Sequence, residues 1–192
     1  MRYADDLVVM CRTRREAEQD LAALRAILVE LGLEPKQTKT RIVHLREGGE
    51  GLDFLGFHHR WVRARGPQAR HISEARWPSR QAMQHARDRV RQSTTRQRLL
   101  LPVEEVTREI NTFLRGWWGY FRYGNSARHF DAVTAYAFNR LALFVGKRHQ
   151  RGRGYGRGLV QGADRVGLIS LDGCIIAPRP NRAWRGPPEC RR

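Results

Sequence analysis

Adjacent carboxylates at Asp5 and Asp6, directly after Tyr3-Ala4 and directly before the apolar run Leu7-Val8-Val9, are the sharpest chemical feature of the sequence. Two carboxylates at a turn that leads into a buried strand make a hard, oxygen-rich site suited to Mg²⁺. Paired Mg²⁺ ions activate a 3′-hydroxyl and stabilise departing pyrophosphate in nucleotidyl transfer. Taken alone, an Asp-Asp pair also reads as an exposed turn. Other candidate ligands are poorly spaced. His58 and His59 lie beside Trp61 with no matching ligands and read as surface or strand-edge histidines. Cys11, Cys174 and Cys190 are odd in number and far apart, a pattern that gives no disulfide framework and no zinc site.

Charge points to the partner. The 192 residues hold 36 Lys plus Arg against 19 Asp plus Glu, a net charge of +17, so a polyanion is the natural ligand. The excess is not spread evenly. Residues 1–57 carry nine bases and ten acids, whereas residues 58–192 carry twenty-seven bases and nine acids. Two modules are therefore expected, the second holding the polyanion contacts. Only Lys36, Lys39 and Lys147 are lysines, so nearly all the cations are guanidinium groups, which fork onto phosphate and stack on bases. A GC-rich genome also explains a preference for Arg over Lys, but it does not explain the clustering. No apolar run reaches the roughly 18 residues that span a bilayer, and the start has no signal-like segment, so a soluble cytoplasmic protein is expected.

The elements that must position these residues can be read from periodicity. Leu7–Cys11 has strand length. Thr13 and Glu16 form a capping box, and Ala17, Leu21, Leu24, Leu28 and Leu31 recur at helical spacing until Gly32. A turn at Glu34-Pro35, a strand over Arg41–Leu45, a turn at Gly48-Gly49 and a strand over Leu52–Phe57 complete an α+β first module. After Trp77-Pro78-Ser79, a helix places Arg80, Arg87, Arg91 and Arg98 on one stripe beside a thin apolar stripe of Met83, Ala86 and Val90. A second helix carries Val103, Val106, Ile110, Phe113, Leu114, Trp117 and Phe121, with Glu104 and Glu105 in its first turn and Gly124 as its stop. A third, capped by Ser126, carries Phe130, Val133, Ala137, Leu141 and Phe144. Residues 151–158 alternate Arg or Tyr with Gly and are expected to hold no regular element, serving as an RNA-binding loop or a solvated linker. Asp172-Gly173 reads as a hairpin turn, and the Pro- and Arg-rich end as a tail.

Set in order, these segments resemble a known family. Tyr3-Ala4-Asp5-Asp6 is similar to the catalytic tetrad of reverse transcriptases in their group II intron form. Gly32-Leu33 with Lys39-Thr40-Arg41-Ile42 resembles that family's next block. Phe54-Leu55-Gly56-Phe57 resembles the block after it, associated with gripping the primer. Pro78-Ser79-Arg80 with its basic helix, then Ile110-Asn111 and Leu114-Arg115-Gly116-Trp117-Trp118-Gly119-Tyr120-Phe121, resemble the thumb and maturase-specific region. Collinearity of five blocks is far more specific than any one. The resemblance implies the end of a palm over residues 1–60, a thumb and maturase-specific helical domain over 75–150, and a Gly/Arg-rich loop, hairpin and basic tail over 151–192.

It also implies roles. Asp5 and Asp6 would hold catalytic Mg²⁺, with Tyr3, Lys39, Phe54, Leu55 and Gly56 near primer and template. Arg80, Arg87, Arg91, Arg98, Arg115, Trp118, Tyr120 and Arg122 would contact RNA, since Arg-rich helices with aromatics suit phosphates and unstacked bases. Trp118, Tyr120 and Tyr123 read equally as partly buried side chains. The expected partner is group II intron RNA, with a DNA primer as a second ligand. The family's palm has a further metal-binding Asp well upstream of its tetrad, and the strand leading into Asp5 is reduced here to Met1 and Arg2. The expectation is that this chain alone extends no primer. It would act as an RNA-binding maturase fragment, or as half of a split enzyme completed by a chain carrying the fingers and upstream palm, or be a non-functional truncated product.

Overall fold

A computed structural model describes residues 2, 3, 6–33, 36, 40–63, 72–160 and 166–176. Asp5, Lys39, the Glu34-Pro35 turn and the basic tail lie outside the described residues. The architecture is α+β, in two compact units divided inside a strand, Met1–Ala75 and Arg76–Arg192. Among the described residues, no helix is long and apolar enough to cross a membrane.

In the first unit, strands β1 (Arg2–Tyr3) and β2 (Asp6–Leu7) pair antiparallel, Arg2 opposite Leu7 and Tyr3 opposite Asp6. The leading strand is thus present, though short. The expected Leu7–Cys11 strand ends at Leu7. Helix α1 (Arg14–Glu30) follows its sequence signals at both ends. Thr13 Oγ1 accepts from the Glu16 amide at 3.2 Å, and the Glu16 carboxylate accepts from the Arg12 amide at 2.8 Å. At the other end Gly32, with φ +68, lets the Leu33 amide reach the Leu28 carbonyl at 2.8 Å and the Gly32 amide reach Val29 at 3.0 Å, the paired bonds of a Schellman stop. Ala17, Leu21, Leu24 and Leu28 are the half-buried stripe, but no residue of α1 is buried.

Two of the expected strands differ in the structure. Residues 41–45 form no strand, and Leu52–Phe57 is broken into β3 (Leu52–Phe54) and the start of β4 (Phe57–Arg63). The break is a two-residue turn, Leu55-Gly56, with φ of 49° and 75° and Phe54 opposite Phe57. Positive φ at both central residues is the turn whose twist matches a hairpin. Strand β5 (Ile72–Pro78), which periodicity did not reveal, completes a sheet in the order β3-β4-β5. Side-chain pairs tie the sheet together: His58 Nδ1 to Asp53 at 2.6 Å, and His59 Nδ1 to Glu74 at 2.7 Å.

The second unit holds nearly all the buried apolar side chains. Helix α2 (Arg80–Ser93) begins at Ser79, whose Oγ accepts from the Ala82 amide at 3.2 Å, and it buries Met83, Ala86 and Val90. A 3₁₀ turn (Arg96–Arg98) leads into α3 (Val103–Phe121), which buries Val106, Ile110, Leu114, Trp117 and Phe121. Helix α4 (Ala127–Arg148) buries Phe130, Val133, Ala137, Leu141 and Phe144. These are the expected stripes, with Val103 and Phe113 half-buried at the margin. Trp117 sits between Phe121 and Phe130, with ring centroids 4.9 and 5.6 Å away. Ser126 precedes α4 but does not cap it. Its buried Oγ donates to the Phe121 carbonyl at 2.8 Å, so it closes the end of α3 instead.

Residues 151–158 are a further correction, because α5 (Arg153–Val160) is helical. Tertiary contact overrides propensity here. The Gly156 backbone lies so close to α4 that a Cβ there would stand 1.9 Å from the Ala142 carbonyl oxygen. The Asp172-Gly173 turn forms, with Gly173 at φ +72, but no strands flank it. Residues 167–176 instead lie as a strap on α3 and α4. Buried Asn111 donates to the Gly167 carbonyl at 2.6 Å and accepts from the Ile169 amide at 3.0 Å. The Thr134 hydroxyl accepts from the Leu171 amide at 3.3 Å, and the Ile176 amide donates to the Arg122 carbonyl at 2.7 Å. Cys11 is a free thiol.

Candidate nucleic-acid interface

Helical packing sorts the arginines of the second unit into two groups. The first group holds the chain in place. Arg98 is not on the α2 stripe, because α2 ends at Ser93. Its guanidinium lies 2.5 Å from a Glu109 oxygen, and the other Glu109 oxygen accepts from Ser93 Oγ at 2.9 Å. That hydrogen bond to Arg98 holds the Glu109 carboxyl below its ordinary value of 4.5. Arg140 reaches Thr94 through its hydroxyl at 3.1 Å and its carbonyl at 3.3 Å. Arg148 donates to the carbonyls of Leu99 and Leu101. Together these three fix the α2–α3 connection. Arg76 does the same for the α3–α4 turn, where its side chain donates to the Tyr123 carbonyl at 3.3 and 3.2 Å.

The second group faces solvent. Arg80 and Arg91 are exposed and Arg87 half-buried, on a strip of α2 beside its apolar stripe. Among the described residues, the one carboxylate paired with Arg91 is that of Asp88, at 3.9 Å. Spacings of seven and four residues spread the three over about 16 Å of helix, the reach needed to follow several phosphates. On α3 the exposed face opposite the core carries Arg108, Thr112, Arg115, Gly116 and Tyr120. Arg108 was missed by motif reading, although it lies seven residues before Arg115 on the polar face and the same periodicity could have found it.

The aromatic candidates divide as well. Tyr120 is 52% exposed. Trp118 is half-buried, and its indole N–H donates to the Cys174 carbonyl at 2.6 Å, so it anchors the strap. Arg122 lies over the Trp118 ring at 5.1 Å and the Tyr123 ring at 4.9 Å, with a hydrogen bond to the Tyr123 hydroxyl at 2.7 Å. Such a clamped guanidinium presents little surface to a ligand.

The first unit holds candidates of its own. Tyr3 and Asp6 are exposed and stand opposite each other on β1 and β2. Phe54, Leu55 and Gly56 form the tip of the β3–β4 hairpin, with both Phe54 and Leu55 half-buried. Leu55 holds a backbone conformation that branched and bulky residues rarely adopt. Mg²⁺ is the metal of reverse transcriptases in general, and of the two candidate ligands here only Asp6 is among the described residues. Among them, no three His, Cys, Asp or Glu side chains gather at metal-binding distances, and Asp6 stands on an exposed two-residue strand.

Residues 1–59 match the reverse transcriptase (RNA-dependent DNA polymerase) family, and residues 83–160 match the group II intron, maturase-specific domain. No curated protein matches the chain. The second match begins inside α2 and runs through α3 and α4 to the end of α5, and so takes in Arg87, Arg91 and the whole exposed face of α3. A reverse transcriptase segment followed on the same chain by a domain specific to intron maturases means that this chain belongs to the group II intron reverse transcriptase and maturase family.

Proposed function

We propose that the chain binds group II intron RNA through the arginine-bearing faces of its helical unit and thereby helps the intron reach its splicing-competent fold. The observation that carries this reading is the division of the arginines. The side chains of Arg80, Arg87 and Arg115 make no hydrogen bond or ion pair among the described residues, while those of Arg98, Arg140 and Arg148 are engaged in the fold. Guanidinium groups held on rigid helices and facing solvent are the means by which a protein positions itself on phosphate. In this reading Mg²⁺ chemistry and a DNA primer belong to the complete enzyme.

The test is binding of the full chain to a group II intron RNA across a salt series. Replacing Arg80, Arg87 and Arg91 together with Gln should weaken binding and flatten the dependence of log K on log salt by roughly two to three, one counterion contribution per lost phosphate contact. The melting temperature should stay within about 2 °C of the parent, as surface changes of this kind usually do. Unchanged affinity would remove these residues from the interface.

A second reading is favoured by one observation. Ile27, Val29, Leu31 and Leu33 are all more than half exposed on and just after α1, and Val9 and Met10 are exposed after β2. So much apolar surface on one small unit suits a separate chain that covers it, in this reading one supplying the fingers and remaining palm.

A further inference from the structure

Most glycines packed in this protein explain themselves. A Cβ on Gly124 would stand 2.5 Å from the Arg76 carbonyl oxygen, and one on Gly156 would stand 1.9 Å from that of Ala142. Gly116 and Gly119 are different. Both lie inside α3, where glycine is the poorest residue after proline, and a Cβ on either would meet nothing within 4 Å. Their φ angles are helical, so conformation does not require glycine either. They fall on the charged face of α3, with Arg108, Thr112 and Arg115 on the same side and exposed Tyr120 at its margin.

We propose that this face of α3, formed by Arg108, Thr112, Arg115, Gly116, Gly119 and Tyr120, binds the shallow minor groove of A-form RNA. The proposal rests on the RNA-binding reading above and names the form of RNA bound. Arg108 and Arg115 are separated by about 10.5 Å along the helix axis, far enough to reach phosphates of the two strands that border one groove. Just C-terminal to Arg115, on the same face, the helix surface is lowered by the missing side chains of Gly116 and Gly119, so its backbone can lie against the ribose ridge. The wide RNA minor groove presents 2′-hydroxyls there, whereas B-form DNA offers a narrow groove without them. Thr112 Oγ1 donates to the Arg108 carbonyl at 2.9 Å, which leaves its lone pairs to accept from a 2′-hydroxyl. Glu104 and Glu105 occupy the first turn of α3, so the phosphate-binding stretch begins at Arg108.

The experiment uses the full chain, a short blunt RNA duplex and a DNA duplex of the same sequence. The parent should prefer the RNA duplex. In the double variant Gly116→Ala, Gly119→Ala, affinity for the RNA duplex should fall roughly tenfold, about one charge-assisted contact, while the melting temperature is unchanged or raised. Arg108→Gln with Arg115→Gln should also weaken RNA binding. A glycine variant that binds RNA like the parent, that melts lower, or that loses DNA binding to the same extent would overturn the proposal. A parent that binds neither duplex nor intron RNA would overturn the RNA-binding reading as well.

Discussion

At the scale of single residues, the environment of a side chain decides what its charge can do. Arg98 and Arg91 are seven residues apart in sequence, yet the first closes an ion pair with Glu109 and the second faces solvent. His129 shows the same dependence on surroundings. Its ring stacks on Trp77, with centroids 6.2 Å apart and planes 14° from parallel, and its Nδ1 is buried with no hydrogen-bond partner among the described residues. Burial pushes its pKa below the ordinary 6.5. The unfolded chain therefore takes up a proton near pH 6.5 that the folded chain refuses, and stability should fall as pH drops from 6.5 toward the lowered value. The expected outcome is a melting temperature that is lower at pH 5 than at pH 7. His129→Phe keeps a flat ring against Trp77 and should flatten that slope. Identical slopes in parent and variant would show that His129 titrates alike in both states.

At the scale of elements, α5 tests whether packing or propensity holds a helix. Gly154, Gly156 and Gly158 disfavour it, and only Gly156 is in tight contact, against Ala142. Gly146 on α4 has the Gly152 carbonyl oxygen 2.8 Å from where its Cβ would be, and the Gly146 carbonyl accepts from the Arg151 amide at 2.7 Å. The helix is thus held by close backbone approach. Gly156→Ala should destabilise the protein by about 1–3 kcal/mol, as overpacking does. Gly158→Ala, which meets nothing within 4 Å, should be neutral or stabilising by up to about 1 kcal/mol. Urea unfolding of the two variants measures both. Equal effects would mean that α5 does not dock on α4 through Gly156.

At the scale of the whole molecule, burial is unequal between the two units. Among the described residues, Ala75 is the only buried apolar side chain of the first unit, whereas the second buries side chains from four helices and the strap. Local stability follows buried contacts. Amides of α1 should therefore exchange with solvent roughly 100-fold or more faster than those of α3, a gap of at least ~3 kcal/mol in opening free energy. Hydrogen exchange read by mass spectrometry measures this directly. If a separate chain covers this unit, as the second reading proposes, its addition should slow exchange in α1, where Ile27, Val29 and Leu31 are exposed. Protection of α1 equal to that of α3 in the chain alone would show that the first unit needs no such cover.

Features that depend on local chemistry and on period were legible in the sequence. The ends of α1 were legible because Thr13, Glu16 and Gly32 satisfy backbone groups within one turn. The core stripes of α2, α3 and α4 were legible because burial on one side of a helix imposes the 3.6-residue repeat. Motif order likewise carried the family, and with it the expectation of RNA as ligand. Tertiary structure alone decided which chemistry-bearing residues stay available. Trp118 became an anchor because the strap brings the Cys174 carbonyl to its indole from 56 residues away, and Asn111 became a clamp at the same range. Arg98 left its stripe because α2 stops at Ser93, a boundary that no cap in the sequence announces. Residues 153–160 became helical because α4 offered a surface that only glycine can approach. Hydrogen bonds and close packing between distant segments have no period, so they enter the account only when the chain has closed on itself.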